Sequence, residues 1–322
     1  MNGVINIQPG HIARHTPRNA GAQGREAAVV DIAQDLLLQY LHGTGKLQNV
    51  AIKGGTAIRK LYAGKEGRFS LDLDFAVSDF NLDCSKVADE FASAIDGVSI
   101  GPFHYGIKRR RGKWAITFES PFIRESTLAT KLDFSSASWL SPIERSWVSF
   151  PIHAQYATPL PCIKTVRLEE NVAEKIARLN RTTTARDMYD LAWIIKNPTL
   201  AQSLDLPLIR RLAVLKIWVD SNGLHAGAME WPLAHEKSQF DAERWLRKRT
   251  SDEFDLEDIG ALAVPTPSPS ELSDAICFGF SFLANLTEEE QIIALADNRD
   301  RALVIKMLKA LPDGRFQNIG IY

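Results

Sequence analysis

Two short stretches decide the fold of this chain: K-G-G-T-A-I-R-K-L-Y at Lys53–Tyr62 and R-F-S-L-D-L-D-F at Arg68–Phe75. The apolar residues at 49–53 predict a short buried strand, and the Gly-Gly pair that follows ends it. Thr56–Tyr62 fits a short helix. Ser70–Val77 alternates between apolar and polar residues, which predicts a second strand. The pattern is therefore a strand, a glycine turn, a helix and a strand that carries two aspartates.

Asp72 and Asp74 are the strongest chemical signal in the sequence. Alternate residues of a strand share a face, so the two carboxylates point the same way, roughly 7 Å apart along the backbone. Leu71, Leu73 and Phe75 would then face a core. Two like charges on one face are costly unless a cation lies between them, and Mg²⁺ accepts a carboxylate pair together with substrate phosphates. The alternative is a solvent-facing strand, because the Asp-x-Asp pattern alone is common.

The Gly54-Gly55 pair gives the aspartates a context. A strand that ends in two glycines and opens a helix presents backbone N–H groups that suit the phosphates of a nucleotide. We expect Gly54, Gly55 and Thr56 to hold a triphosphate, with Thr56 as the N-cap of the helix. The alternative is an ordinary tight turn.

The charge balance says little about a partner. The 322 residues include 38 Lys and Arg against 39 Asp and Glu, so a nucleic acid would have to be bound by a local basic patch. Two clusters qualify, Lys108–Lys113 and Arg244–Arg249, and Trp245 in the second could stack on single-stranded bases. The alternative for each is a solvated surface, and the first is the better candidate because it follows the strand of Asp72 and Asp74 on the same lobe.

Other features point to a cytoplasmic protein without a membrane partner. No apolar run approaches the roughly 18 residues needed to cross a bilayer, and residues 1–25 lack the apolar core of a signal peptide. The three cysteines lack metal-ligand spacing, so we expect reduced structural thiols.

The chain is predicted to have an α+β fold with two lobes. Residues 1–25 are expected to form a flexible arm, residues 26–155 a mixed-sheet lobe, and residues 156–322 a helical lobe with a Pro/Ser-rich loop at 264–270. Helices are predicted over Glu26–Leu41, Ser85–Ile95, Leu168–Leu179, Arg186–Ile195, Pro207–Val219, Glu271–Leu286, Glu288–Asp297 and Arg299–Leu311. The further strands are predicted over Val98–Ile107, Lys113–Phe118 and Ala129–Phe134.

In combination these motifs resemble the AbiEii-type nucleotidyltransferase toxins of the DNA-polymerase-β-like superfamily. Lys53–Tyr62 and Arg68–Phe75 match the first motif of that family. Thr130–Ser135, T-K-L-D-F-S, matches the later strand that carries a third carboxylate. Glu169–Ala177 and Arg186–Leu191 match the two helical motifs. The likeness is far more specific in combination than in any single part.

The match runs in order from Val50 to Ile195. It departs from the family in one place, because the loop between Gly55 and Asp72 is a little longer than usual. That length puts the geometry of the phosphate loop in question, but not the carboxylates.

The resemblance implies roles in the mixed-sheet lobe. Asp72, Asp74 and Asp133 would bind Mg²⁺ or Mn²⁺, and Asp133 would also act on the attacking hydroxyl. The alternative for Asp133 is a turn-forming aspartate at the end of a strand. Arg68 and Ser70 flank the metal strand and join the nucleotide-binding set, with Ser70 expected to share the face of Asp72.

In the helical lobe the resemblance implies that Lys175 contacts the phosphates of the nucleotide. By local reasoning its alternative is an ion pair with Glu170 or Glu174 on a solvated face. Asp187 is the expected functional residue of the last motif and Asp190 the second. Their alternative is charge at a helix N-terminus that complements the helix dipole.

The family likeness also predicts a function. The chain would be a toxin of a toxin–antitoxin or phage-defence system that transfers nucleotides from an NTP to RNA and so blocks translation. The 3′ end of tRNA is the candidate acceptor, and a cognate antitoxin is an expected partner. The alternatives are nucleotidylation of a protein or small molecule, and a non-catalytic nucleotide-binding module. The intact set of three aspartates argues against the last.

Overall fold

The computed structural model of the chain describes residues 4–17, 21–110, 113–123, 127–226, 229–230 and 238–322. The predicted α+β class is confirmed, because the described residues form twelve α-helices and a mixed eight-stranded sheet. The chain divides into two compact units. Unit 1 comprises Met1–Ala137, Pro142–Thr165 and Gly260–Pro265, and unit 2 comprises Ser138–Ser141, Val166–Ile259 and Thr266–Tyr322.

Unit 1 contains the large sheet and four helices. The helices are α1 Pro9–His15, α2 Gly21–Gly43, α3 Gly54–Ile58 and α4 Cys84–Ile95, and α3 runs on into a π-helical turn at Arg59–Ala63. The strands are β1 Val50–Lys53, β2 Asp72–Val77, β3 Ser99–Ile100, β4 Phe103–Arg110, β5 Lys113–Glu119, β6 Leu128–Ser135, β7 Ile143–Arg145 and β8 Ile163–Thr165. Their order in the sheet is β3-β4-β5-β6-β2-β1-β8-β7. The pairs β2–β6 and β1–β8 are parallel and the others antiparallel.

An aromatic cluster fixes the register of the central strands. Phe75 of β2 is buried and stacks on Phe134, its direct neighbour on β6, with ring centroids 5.6 Å apart. Phe91 of α4 lies 5.3 Å from the Phe75 ring, so α4 covers this face of the sheet. A slip of one residue would turn this buried set out to solvent. The opposite face of β2, which carries the aspartates, is therefore set by the packing of its neighbours.

The alternation of β2 begins later than predicted. The strand starts at Asp72 rather than Ser70, and Leu73 and Phe75 are buried as expected. Leu71, predicted to face the core, is 52% exposed. That expectation was wrong because Leu71 precedes the strand, so the two-residue period does not extend to it.

Buried charges hold the helix that follows the glycine pair. Arg59 and Lys60 are buried within unit 1. Arg59 makes a two-pronged pair with Asp31 of α2, with Nε–Oδ1 at 3.1 Å and Nη2–Oδ2 at 2.9 Å. Lys60 donates to Asp31 at 2.8 Å and also to Asp35. The opposite charges offset the cost of removing these ions from water.

The N-terminal residues add to this network. The residues that we expected to form a flexible arm include α1, whose Ile12 is fully buried. His15 places its Nε2 atom 2.8 Å from Asp31 Oδ2. Residues 1–3 and 18–20 of the expected arm lie outside the described part of the chain.

Unit 2 is mainly helical. Its helices are α5 Leu168–Arg181, α6 Ala185–Lys196, α7 Pro198–Ser203, α8 Leu206–Asn222, α9 Ala242–Leu246, α10 Pro269–Gly279, α11 Glu288–Ala294 and α12 Arg301–Lys309. Two short strands, β9 His225–Ala226 and β10 Met229–Glu230, pair antiparallel. Helix α5 packs on α8. Trp218 of α8 is fully buried, and its Nε1 donates to the Asp297 carbonyl at 2.9 Å.

The cysteines and the apolar helices bear on the expected surroundings of the protein. Cys84, Cys162 and Cys277 form no disulfide, and Cys162 is exposed. Across the described ranges, no helix is both long enough and apolar enough to cross a bilayer.

Candidate active site

Three aspartates come together on one face of the sheet in unit 1. Asp74 of β2 lies directly opposite Asp133 of β6, and Asp72 lies one alternation before Asp74 on the same face. Neighbouring strands are about 4.8 Å apart, so the three carboxylates share one small area. The side chains of Asp72 and Asp74 are partly buried. The structure thus brings together the three residues proposed from the sequence as metal ligands.

A lysine that the sequence analysis missed lies in the same area. Lys131 precedes Asp133 by two residues on β6, faces the same way and lies opposite Asp72. Its ammonium group forms an ion pair with Asp133 Oδ2. Burial lowers the pKa of Lys131, but the hydrogen bond to Asp133 and the charges of Asp133, Asp72 and Asp74 outweigh this and raise it above its ordinary value. The Lys-x-Asp spacing in T-K-L-D was the signal that could have revealed it.

A second lysine borders the carboxylates from the other side. Lys53, the last residue of β1, lies directly opposite Asp74. Its Nζ donates to Ser135 Oγ of β6 at 3.2 Å, so the side chain reaches over the strand between them. Lys53, Asp74 and Asp133 therefore form one row across three adjacent strands.

The carboxylates have the chemistry of a site for Mg²⁺ or Mn²⁺, which prefer oxygen ligands. Asp72 and Asp74 fit such an ion as a pair on one face of β2. Within the residues that the structure describes, no group of three or more His, Cys, Asp or Glu side chains is gathered around a common point. Oδ2 of Asp133 is bound to Lys131.

Gly54 explains why the motif needs a glycine beside the aspartates. Its φ is +72°, in the left-handed region that favours glycine. A Cβ atom at this position would lie 2.6 Å from Asp74 Oδ2. The glycine therefore lets the backbone that follows β1 approach a candidate metal ligand closely.

Gly55 brings the other predicted residues next to this turn. A Cβ atom there would overlap the guanidinium of Arg68 and would lie 3.3 Å from Ser70 Oγ. Both Arg68 and Ser70 are buried. The structure therefore places Arg68 and Ser70 against the glycine pair, although Ser70 precedes β2 instead of sharing its alternation.

Thr56 differs from its predicted position in the helix. The N-cap of α3 is Lys53, and Thr56 lies inside the helix with its side chain buried. The Thr56 hydroxyl donates to the backbone carbonyl of Asp72. The N-cap prediction was wrong because the helix begins at Gly54, and the hydroxyl instead ties α3 to the start of β2.

The predicted residues of unit 2 form a buried cluster of their own. Lys175 Nζ lies 2.8 Å from Asp187 Oδ1 and 2.8 Å from Asp190 Oδ2. The lysine side chain is only 1% exposed. The alternative of a solvated pair with Glu170 or Glu174 was wrong. Helices α5 and α6 bring the lysine and the two aspartates together across the interhelical turn.

The carboxylates that we considered as partners of Lys175 have other contacts. Glu170 accepts hydrogen bonds from the backbone N–H groups of Trp139 and Leu140 at 2.8 and 2.9 Å. Lys216 of α8 pairs with Glu170 at 3.0 Å and with Glu174 at 3.4 Å. These contacts link α5 to α8 within unit 2.

A polar cavity of about 1130 Å³ in unit 2 lies beside this cluster. Asp187 lines this cavity, together with Arg178, Arg181 and Arg244. Arg178, one helical turn after Lys175, pairs with Asp187 at 3.0 Å while half of its side chain stays exposed. The sequence analysis missed Arg178, although its spacing places it on the face of α5 that carries Lys175.

The two basic clusters differ in availability. Lys108 of β4 is exposed, and Arg109 packs over the Trp114 ring at 4.9 Å. Arg111 and Gly112 of this cluster lie outside the described residues.

The second cluster does not present a surface for bases. Trp245 is buried and donates through Nε1 to the Ile176 carbonyl at 3.1 Å, so it cannot stack on a base. Arg247 pairs with Glu253, and Lys248 pairs with Asp274 at 2.6 Å. The prediction that Arg244–Arg249 combines cations with an available aromatic ring was wrong.

Comparisons with known proteins agree with these features. A family model described as "Nucleotidyl transferase AbiEii toxin, Type IV TA system" matches residues 36–271. Among solved structures, MenT4, a nucleotidyltransferase toxin from Mycobacterium tuberculosis H37Rv, matches with a TM-score of 0.81 and 30% sequence identity. That alignment covers 95% of this chain and 99% of MenT4. No curated protein sequence matches the chain.

Proposed function

The chain belongs to the AbiEii nucleotidyltransferase toxin family, and from this we propose that it transfers nucleotides from an NTP to an RNA acceptor with the aid of Mg²⁺ or Mn²⁺. It is a nucleotidyltransferase toxin of a toxin–antitoxin system. The proposal depends chiefly on one observation, the register that sets Asp74 opposite Asp133 with Asp72 on the same face.

Asp72, Asp74 and Asp133 are the proposed metal-holding residues. Bound divalent cations would supply activation of the acceptor oxygen and stabilisation of charge on the leaving pyrophosphate. Asp133 lies at the edge of the set on β6, and we propose that it accepts the proton of the attacking hydroxyl. The neighbouring ammonium groups of Lys53 and Lys131 offset part of the repulsion among the carboxylates.

The glycine turn is the proposed site for the triphosphate. Gly54 and Gly55 let the Asp74 carboxylate and the Arg68 guanidinium approach the backbone of this turn, because neither glycine carries a side chain that would fill the space. Arg68 packs against Gly55 and can contribute a charge-assisted hydrogen bond to a phosphate. Thr56 keeps the helix in place through its bond to the Asp72 carbonyl, and Ser70 borders the turn.

The buried cluster of unit 2 is also assigned to the reaction. Lys175 holds Asp187 and Asp190 in fixed positions, and Asp187 faces the polar cavity. The half-exposed Arg178 guanidinium, bound to Asp187, suits a phosphate oxygen better than the enclosed Lys175 ammonium does. We therefore propose that Lys175 acts through the two aspartates, and that Asp187 and Arg178 face the nucleotide.

RNA is the proposed acceptor, with the 3′ end of tRNA as the candidate. The exposed cations at Lys108 and Arg109 give unit 1 a surface for an RNA backbone. Modification of tRNA ends in the cytoplasm would block translation, and a cognate antitoxin would then be needed to restrain the enzyme. A role in phage defence follows from the same toxicity.

The direct test is a transfer assay with each of the four NTPs, labelled on the α-phosphate, in the presence of Mg²⁺ and total RNA. We expect label in an RNA band, loss of that label with EDTA, and no label with Asp74→Asn. Label that enters protein or a small molecule would favour those acceptors instead. Binding of NTP without any labelled product would leave only a nucleotide-binding module.

A further inference from the structure

The ammonium group of Lys131 lies among the proposed metal-holding residues of β2 and β6. Its contact is with Oδ2 of Asp133, a proposed metal ligand, and its position on β6 faces Asp72 across the parallel pair. One oxygen cannot serve a lysine hydrogen bond and a cation in the same direction.

The side chain of Lys131 can move away from Asp133. Its side chain is 44% exposed and that of Asp133 is 38% exposed, so neither is held in a closed core. A lysine ammonium is a compact charge on a flexible four-carbon stem and can move without backbone change. Lys175 in unit 2 is the contrasting case, since its side chain is 1% exposed and is fixed between two carboxylates.

We propose that Lys131 is a resident counter-ion of the carboxylate site, which holds Asp133 in the metal-free protein and must be displaced when a divalent cation binds. The inference deepens the proposed function and rests on it. Lys131 lowers the affinity of the free protein for metal, because one positive charge already lies beside the three carboxylates. The metal would therefore enter mainly together with the triphosphate, whose oxygens supply the ligands that compensate for displacing the lysine.

The test measures metal binding without nucleotide transfer. The full chain, freed of metal with EDTA, is titrated with Mn²⁺ in the absence of NTP, and free Mn²⁺ is followed by electron paramagnetic resonance. We expect Lys131→Met to bind Mn²⁺ about tenfold more tightly than wild type, because a nearby like charge has been removed. Lys131→Arg should keep the wild-type affinity. A second readout is the Mg²⁺ concentration for half-maximal transfer, which should fall in Lys131→Met.

Lys86→Met is the matched control. It removes the same charge from an exposed position on α4, the helix that covers the opposite face of the sheet, and should leave Mn²⁺ affinity unchanged. Equal or weaker Mn²⁺ binding by Lys131→Met, or an equal gain in Lys86→Met, would overturn the counter-ion role while leaving the proposed function intact. If neither wild type nor Lys131→Met binds Mn²⁺, with or without NTP, the metal-dependent function itself is wrong and the inference falls with it.

Discussion

Asp74 of β2 lies directly opposite Asp133 of β6, in the register of two adjacent parallel strands. Each strand supplies a carboxylate to the same face, and the Phe75–Phe134 stack on the other face keeps the pair in register. The arrangement is costly without a cation, because two like charges lie within the width of one strand pair. This relationship is the basis of the first prediction.

Asp74→Asn and Asp133→Asn should each abolish transfer without unfolding the protein. Loss of a metal ligand removes several kcal/mol of transition-state stabilisation, so kcat should fall about a thousandfold or more. The melting temperature of metal-free Asp74→Asn should stay the same or rise, since repulsion is relieved. Asp133→Asn also loses its exposed ion pair with Lys131, so its melting temperature should change little. Asp89→Asn, on the exposed side of α4, is the control and should keep wild-type kinetics. Turnover near the wild-type rate in either site variant would rule out the carboxylate mechanism.

Gly54→Ala should separate backbone strain from active-site damage. Gly54 has φ +72° and Gly97 has φ +75°, so alanine at either position should lower the free energy of unfolding by about 1 kcal/mol or more. A Cβ at Gly54 would also lie 2.6 Å from Asp74 Oδ2, whereas a Cβ at Gly97 would have no heavy atom within 4 Å. Only Gly54→Ala should therefore lose transfer activity, as measured beside urea unfolding. An active Gly54→Ala enzyme would show that this approach to Asp74 is not required.

Lys175→Met should destabilise the protein strongly. The substitution leaves Asp187 and Asp190 buried without their shared cation, and breaking a buried pair from one side costs about 3–5 kcal/mol. Lys175→Met with Asp190→Asn should recover part of that loss, measured by chemical unfolding.

The control for Lys175 has to be an exposed lysine such as Lys309. Lys216 is unsuitable, because it is itself paired with Glu170 and Glu174. Lys309→Met should leave stability unchanged. A loss in Lys175→Met no greater than that of Lys309→Met would contradict the buried cluster.

The buried ion pairs of Asp31 and Asp35 on α2 with Arg59 and Lys60 should make the stability of unit 1 sensitive to acid. Burial raises the pKa of Asp31 and Asp35, but the charges of Arg59 and Lys60 on Asp31, and of Lys60 on Asp35, outweigh this and hold both values below the ordinary 3.8. Their contribution to stability is then present above the ordinary pKa of an aspartate and is lost as the pH falls through the lowered values.

The free energy of unfolding should accordingly decline steeply below about pH 4. Asp35→Asn should be less stable than wild type at neutral pH and should lose less on further acidification. Urea unfolding between neutral pH and strongly acidic buffers measures both effects. Asp89→Asn should follow the wild-type curve, and a parallel curve for Asp35→Asn would contradict the assignment.

Neutralising the exposed cations Lys108 and Arg109 of β4 should weaken RNA binding. In Lys108→Gln with Arg109→Gln, the slope of log affinity against log salt should fall in magnitude by about 1.5 if both contact phosphates. The KM for NTP should not change. The matched control is Arg247→Gln with Lys248→Gln, whose cations are already paired with Glu253 and Asp274. Equal RNA affinity of the two double variants would exclude Lys108 and Arg109 as part of the surface that binds the RNA acceptor.

Much of the secondary structure follows from local patterns. The predicted helix Leu168–Leu179 is observed as Leu168–Arg181, and the predicted strand Ala129–Phe134 as Leu128–Ser135. Strands β7 and β8 were missed, because each has three residues and no period of its own to read. They are strands only because they pair with each other and β8 pairs with β1.

The candidate site could be predicted as a set of residues but not as a set of contacts. Asp72, Asp74 and the glycine pair were identified because alternation and glycine chemistry act over a few residues. The alternative partners considered for Lys175 were wrong, since its neighbours on α5 offered carboxylates at suitable spacing while its actual partners are on α6. Local spacing shows which residues can meet, but not which partner a buried charge will find.

The sequence by itself determined that two aspartates share a face of β2 and that a glycine turn precedes them, because strand period and glycine conformation are local properties. Only the tertiary structure decided that Asp133 lies beside Asp74, that Lys131 is bound to Asp133, and that Arg59 is buried against Asp31. Strand order and helix packing bring together residues that are distant along the chain. A charged side chain can be buried only where tertiary packing places a group of opposite charge beside it, and this placement depends on the whole fold.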